Sequence, residues 1–177
     1  MRLFHVSEEP DIKEFVPRIP YREDMDKSKG LVWALTEPAL PNFLTPRDCP
    51  RVGYRVKEDT AQEDIERYFS SASRHCVAIE HGWHEKMLSA TLYVYEFDPE
   101  DFYFHDTAGF YVSEKTETPI STVEYGNLYG ELFDRGVEVR LLSNLWELRD
   151  SIFKSTLNYS FCRMHNAKPR PGETEGT

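Results

Sequence analysis

The chain has 177 residues, with 31 acidic side chains against 21 basic ones and a formal net charge of −10. That length predicts one domain able to hide roughly 70% of its unfolded surface, and the acidic balance is the wrong sign for a general binder of nucleic-acid backbones. The three cysteines, Cys49, Cys76 and Cys162, form no CxxC pair and read as reduced thiols of a cytoplasmic protein, while the absence of a leader pattern and of any long apolar run argues against secretion and membrane insertion.

Arg2-Leu3-Phe4-His5-Val6 predicts a short first strand, apolar on both sides of one histidine, opening into a polar loop at Ser7. Residues 7–29 follow as a long connection rich in proline and charge, and such loops inside a compact domain are often functional. Leu31–Leu35 predicts a second strand. Pro38, Pro41, Pro46 and Pro50 remove ladder donors and block helix interiors, so 36–50 has room for one helical turn at most. Arg51–Val56 alternates as a strand. Thr60 and Glu63 have capping-box spacing for a helix to about Ser70, with Ile65, Tyr68 and Phe69 on one face. His75–Glu80 is the next strand, 81–87 a helical or turn segment, and Thr91–Phe97 the strongest strand pattern in the chain, closed by Asp98-Pro99. Phe102–His105, Gly109–Ser113 and Pro119–Tyr125 continue the strands.

Asn127–Arg135 predicts a helix with Leu128, Leu132 and Phe133 facing inward and Gly136 at its C-cap. Val137–Leu142 is a strand. Ser143 is placed to cap a helix over 144–154, with Trp146, Leu148, Ile152 and Phe153 as its apolar surface, and Asn158–Met164 is the last extended segment. Residues 166–177 carry no apolar anchor and predict a flexible tail after a single domain spanning 1–165. Roughly eight strands and three helices without regular βαβ alternation predict an α+β fold: two packed or strongly bent, mainly antiparallel sheets with about three peripheral helices.

Walker A, GxGxxG, GxSxG and HExxH signatures are all absent. His81 and His84 have a spacing that could begin a metal site, but two further ligands are missing, so no metal is expected. His105-Asp106 would orient one another only if they shared a face, which adjacent strand residues do not. Arg47 and Arg51 flank Cys49 in a proline-stiffened loop, with Arg18 and Arg22 upstream, and planar guanidinium groups match phosphate or carboxylate. The alternative is that these arginines pair with Asp48 and other acids. Beside two arginines the Cys49 thiol is a candidate for a lowered pKa. His5 reads either as a core histidine bonded to backbone or as a ligand-holding one.

The stretches FHVSEEPDIKEFVPR, LPNFLTPRDCPRV, LYVYEFDPEDF, AGFYVS, LWELRDSI and FCRMHNAKP resemble a family of small, uncharacterised bacterial proteins grouped as a domain of unknown function. A second resemblance is more informative. Phe4-His5-Val6-Ser7, then Leu92-Tyr93-Val94-Tyr95-Glu96-Phe97-Asp98-Pro99, then Phe110-Tyr111-Val112-Ser113 to Pro119, are similar in order to the motifs of ADP-ribosyltransferase folds of the small rifampin-modifying type. That resemblance implies an ADP-ribosyltransferase-like α+β fold with NAD between two sheets. It implies His5 on the nicotinamide-side ribose with Ser7 in support, and Trp33 or Tyr54 as the stacking aromatic. As the acid it implies Asp106 first, with Glu114 and Glu117 as rivals. Arg18, Arg47 and Arg51 are then available for the pyrophosphate, and a carboxylate near the ribose stabilises the positive charge built as the glycosidic bond breaks.

The leading expectation is therefore a small-molecule or nucleotide ligand, NAD first, with transfer of ADP-ribose. Two rivals stand beside it. One keeps the fold as a non-catalytic nucleotide-binding or protein-interaction domain, since fold does not imply chemistry. The other is a small transferase that uses the arginine cluster as an anion clamp.

Overall fold

The computed structural model describes residues 1–20, 26–70, 72–106 and 108–172. The chain divides into two compact units, each assembled from two segments: Met1–Leu40 with Thr91–Tyr125, and Pro41–Ala90 with the chain from Gly126 onward. The class is α+β, with two mainly antiparallel sheets and, among the described residues, four α-helices. No described helix is long and apolar enough to cross a membrane.

The first unit holds one six-stranded sheet. Its strands are β1 (Leu3–Ser7), β2 (Val32–Thr36), β5 (Leu92–Phe97), β6 (Tyr103–Asp106), β7 (Phe110–Ser113) and β8 (Ser121–Tyr125), in the antiparallel order β6-β7-β2-β1-β5-β8. Five successive pairs, from Leu3↔Phe97 to Ser7↔Tyr93, tie β1 to β5, but only Leu3↔Thr36 and Phe4↔Leu35 tie β1 to β2. The two strands therefore part at His5. Leu3, Val32, Ala34, Phe97 and Phe102 form a buried cluster, with Phe15 and Tyr111 packed against it. The long predicted loop is not loose where it is described. Phe15 exchanges backbone hydrogen bonds with Glu117, and Arg18 does so with Leu31. Tyr95 clamps the start of that loop, its hydroxyl donating to Glu9 O at 2.7 Å and accepting from Ile12 N at 3.1 Å. β8 reads STVEY and is mostly exposed, as suits an edge strand whose polar side chains discourage further pairing.

The second unit holds a four-stranded sheet of β3 (Arg51–Arg55), β4 (His75–Glu80), β9 (Glu138–Leu142) and β10 (Asn158–Cys162), in the order β10-β3-β4-β9. Only β4–β9 is parallel. The unit's helices are α1 (Gln62–Tyr68), α2 (His84–Ser89), α3 (Leu128–Asp134) and α4 (Trp146–Phe153). Side chains alternate across a strand, so Val52 and Tyr54 of β3 join Cys76 and Ala78 of β4 on one face. Tyr68, Phe69, Leu145, Ile152 and Leu157 complete that core. Each large side chain fully buried there contributes on the order of 1.5–3 kcal/mol.

Several helix-end expectations are corrected. The Thr60–Glu63 capping box does not form: Thr60 Oγ1 accepts from Lys57 N at 2.9 Å, and Ala61 N is taken by Thr156 Oγ1 at 2.9 Å. Ser143 does not cap α4. Asn144 Oδ1 instead accepts from Trp146 N at 3.0 Å. Phe133 is exposed rather than inward, and Phe153 on the apolar surface of α4 is exposed too, whereas Leu128, Leu132 and Ile152 are buried. Gly136 does close α3, at φ 68° in the left-handed region.

Of the predicted tail, residues 173–177 lie outside the described residues. The stretch 166–172 is pinned by polar contacts rather than apolar ones. Glu80 accepts from Lys168 N at 3.0 Å, Trp146 Nε1 donates to Lys168 O at 2.8 Å, and Arg170 pairs with Asp150 at 2.6 Å while its guanidinium lies over the Trp146 ring.

Candidate functional site

Where β1 and β2 part, the His5 imidazole takes over the missing ladder contact. Its Nδ1–H donates to the Trp33 carbonyl at 2.9 Å. The ring packs on Phe15 with centroids 4.8 Å apart, and Phe15 in turn sits edge-on to Tyr95 and Phe97. The backbone bridge from Phe15 to Glu117 then brings an acid into the same neighbourhood. Glu117 Oε1 is buried and has no hydrogen-bond partner among the described residues. Trp33 projects to the other side of β2 and stacks edge-on to His105 at 4.8 Å and Phe110 at 5.5 Å. His105 stands at a register shift between Phe104 and Asp106.

The remaining predicted residues of this unit are engaged locally. Ser7 Oγ accepts from Glu9 N at 3.0 Å, which tightens the turn leaving β1. Asp106 Oδ1 accepts from Ala108 N at 2.9 Å, closing its own turn. Glu114 accepts from Lys29 Nζ at 2.8 Å and from the Tyr103 hydroxyl at 3.0 Å. Lys29 first, then Tyr103, holds its carboxyl below the usual range. Arg18 is exposed and joined to the sheet through its backbone.

Tyr54, Arg47 and Arg51 belong to the second unit. Tyr54 is fully buried in its core and donates its hydroxyl to Tyr68 O at 3.0 Å, so its ring is a packing element rather than a ligand wall. Arg47 is exposed, and its carbonyl accepts from Arg163 Nε at 3.3 Å. Arg51 is buried beneath the Phe43 ring and donates to Asn42 O at 2.6 Å and Cys49 O at 3.0 Å. Arg22 lies outside the described residues. The Cys49 thiol, a candidate for a lowered pKa, shifts the other way. Burial pushes this thiol up to about 12, and the opposing influence of Arg51 is smaller. Of the HxxH pair, His81 is exposed while His84 shares a hydrogen bond with the Tyr129 hydroxyl at 2.9 Å. No three His, Cys, Asp or Glu side chains converge to hold a metal among the described residues.

A second polar constellation lies on the face of the four-stranded sheet opposite its core. Cross-strand pairing sets Asn158, Arg55 and His75 in one row over β10, β3 and β4. Asn42, buried over Gly53, accepts from His75 Nε2 through Oδ1 at 2.8 Å. Burial first, and the Arg55 charge second, push His75 down to about 4. Asn42, Arg55, His75 and Asn158 were not among the residues singled out from sequence. Their available signal was the alternation Arg51-x-Gly53-x-Arg55, which on a strand puts both guanidinium groups on one face with a gap between them.

The fold is thus α+β, with two candidate ligand-facing clusters, one in each unit. A family model described as a family of unknown function, DUF6886, matches residues 4–167, and the chain belongs to that family. No curated protein matches the chain, and no solved structure matches it.

Proposed function

We propose that the six-stranded unit binds NAD or a related nucleotide and passes ADP-ribose from it to a small molecule or macromolecule. The observation that carries this reading is Glu117. A buried carboxylate oxygen lacking a hydrogen-bond partner is costly and rare, and this one is linked through Phe15 to the His5 ring. In this reading Glu117, rather than Asp106 or Glu114, is the acid, because the other two carboxylates are already committed to a turn and to a lysine. His5, oriented by the Trp33 carbonyl, meets the ribose; the Trp33 ring lies on the other side of β2 and Tyr54 is a core residue, so neither ring stacks beside Glu117. The bond from ribose C1′ to the nicotinamide nitrogen breaks and its electron pair leaves with neutral nicotinamide. Glu117 stabilises the cationic sugar until an acceptor nucleophile adds to C1′ and gives up its proton.

Thermal unfolding with millimolar NAD tests the reading, run beside nicotinamide and ADP-ribose. Ligand at about 100 times its dissociation constant adds roughly 2.7 kcal/mol. His5→Ala is expected to remove the NAD-dependent shift, while Glu117→Gln keeps it and lowers nicotinamide release by on the order of 10²-fold or more. No shift with NAD overturns the reading. A shift without nicotinamide release reduces it to a binding domain.

A further inference from the structure

Strand β3 carries its two arginines at positions 51 and 55, on the sheet face turned away from Val52 and Tyr54. Neither forms an ion pair among the described residues. Arg51 is satisfied by two backbone carbonyls and ties down the Asn42 segment. Arg55 is different. Only its Nε has a partner, Asn158 Oδ1 at 3.2 Å, and its two terminal nitrogens meet no acceptor among the described residues. Taking a guanidinium partly out of water with one neutral acceptor is unfavourable, and a charged partner is the usual compensation. Burial accordingly lowers the pKa of Arg55.

The surroundings of Arg55 favour an anion. The cross-strand neighbours are Asn158 and His75, and the next row holds Ser160 opposite Gly53. Gly53 leaves no side chain between the two arginines, and Asn42 occupies the space above it. The face therefore carries two positive charges on β3 and no acid on β3, β4 or β10 in these rows. A planar fork whose two terminal nitrogens meet no acceptor among the described residues fits an oxyanion that offers two oxygens, and the doubled positive charge favours a dianion over a carboxylate.

We propose that the Asn158–Arg55–His75 row of the four-stranded sheet is a phosphate-binding site, with Arg55 gripping a phosphoryl group through its terminal nitrogens. Arg51 is a positioning residue that holds Asn42 over the site. The proposal does not rest on the NAD reading, since its residues belong to the other unit, and His5→Ala leaves it unaffected.

The test uses the full chain with inorganic phosphate, pyrophosphate and adenosine monophosphate as probes. Binding is followed by calorimetry and by the NMR signal of the Arg55 Nε–H group. Saturable movement of that signal is expected, with affinity about 10-fold or more weaker in Arg55→Gln, the weight of a charge-assisted hydrogen bond. Equal affinity for phosphate and adenosine monophosphate identifies the free ion as sufficient, and tighter binding of the nucleotide identifies a phosphate ester. Both support the site. An Arg55 signal unmoved by all three probes overturns it, as does equal binding by the wild type and Arg55→Gln. The NMR arm needs no variant, so the test survives if Arg55→Gln fails to fold.

Discussion

Acid should destabilise this protein through one histidine in particular. In the fold His75 donates Nε2–H to Asn42 and faces Arg55 across the β3–β4 ladder, and its pKa is pushed down to about 4. In the unfolded chain an imidazole titrates near 6.5. Between those values the unfolded chain binds a proton that the folded chain refuses. The stabilisation is therefore fully present above about pH 6.5, falls as pH drops, and levels off near 4. The gap of about 2.5 units corresponds to roughly 3.4 kcal/mol as an upper bound. Because the ring is partly exposed, about 2 kcal/mol is the working figure. The assay is denaturant unfolding from pH 7.5 to 4, comparing wild type with His75→Gln, whose amide can still donate to Asn42. Carboxylates held below their ordinary range, such as Asp64, Glu138 and Asp150, contribute lower in the titration and equally to both proteins. The wild type should lose about 2 kcal/mol more than the variant between pH 6.5 and 4.5. Parallel curves across that window would refute the assignment of the acid sensitivity to His75.

Gly53→Ala places a methyl group onto Asn42 Oδ1, so it should cost about 1–3 kcal/mol in chemical denaturation and shift the His75 ring signals as the Asn42 contact breaks. Tyr54→Phe removes a buried hydroxyl that donates to Tyr68 O. About 1 kcal/mol of stability should be lost, with any NAD-dependent shift unchanged, and loss of that shift would restore Tyr54 as a ligand wall. Thiol labelling of the folded protein at pH 8 should modify Cys162 first. Cys49 and Cys76 are buried with thiols pushed up to about 12, so they should react only on unfolding, and fast labelling of Cys49 would contradict its burial.

The strands were legible because each one had only one way to satisfy its pattern. β4 matches its expected span residue for residue, from His75 to Glu80, and β5 begins one residue later than expected. Alternation and β-branched or aromatic content are local properties, and pairing merely uses them. Helix ends failed because caps compete with distant side chains. Thr156 lies 95 residues from Ala61 yet takes its N–H, and Thr60 serves the preceding turn instead. The 166–172 stretch departs from the flexible tail its composition predicts for a related reason. Its anchors are Glu80, Asn144, Trp146 and Asp150, all outside the stretch itself, and composition is blind to such partners.

The candidate sites divide along the same line. His5 and Trp33 stand out as residues, but what relates them is the parting of two strands after Phe4, a fact about register rather than about either side chain. The resemblance puts Asp106 first as the acid, but its carboxylate closes its own turn. Glu117 is only one of two rivals in the sequence, although the backbone bridge at Phe15 gives it the more telling environment. Asn42 is the clearest case. In sequence it is a polar residue in a proline-rich loop, while in the fold it is 2% exposed, seated on Gly53 and bonded to His75, with its carbonyl held by Arg51. A buried amide serving a histidine and an arginine on neighbouring strands is what makes a sheet face specific. Substituting Gly53 therefore tests the site by geometry and substituting Arg55 tests it by charge, and agreement between the two would tie the Asn42 contact to the anion site.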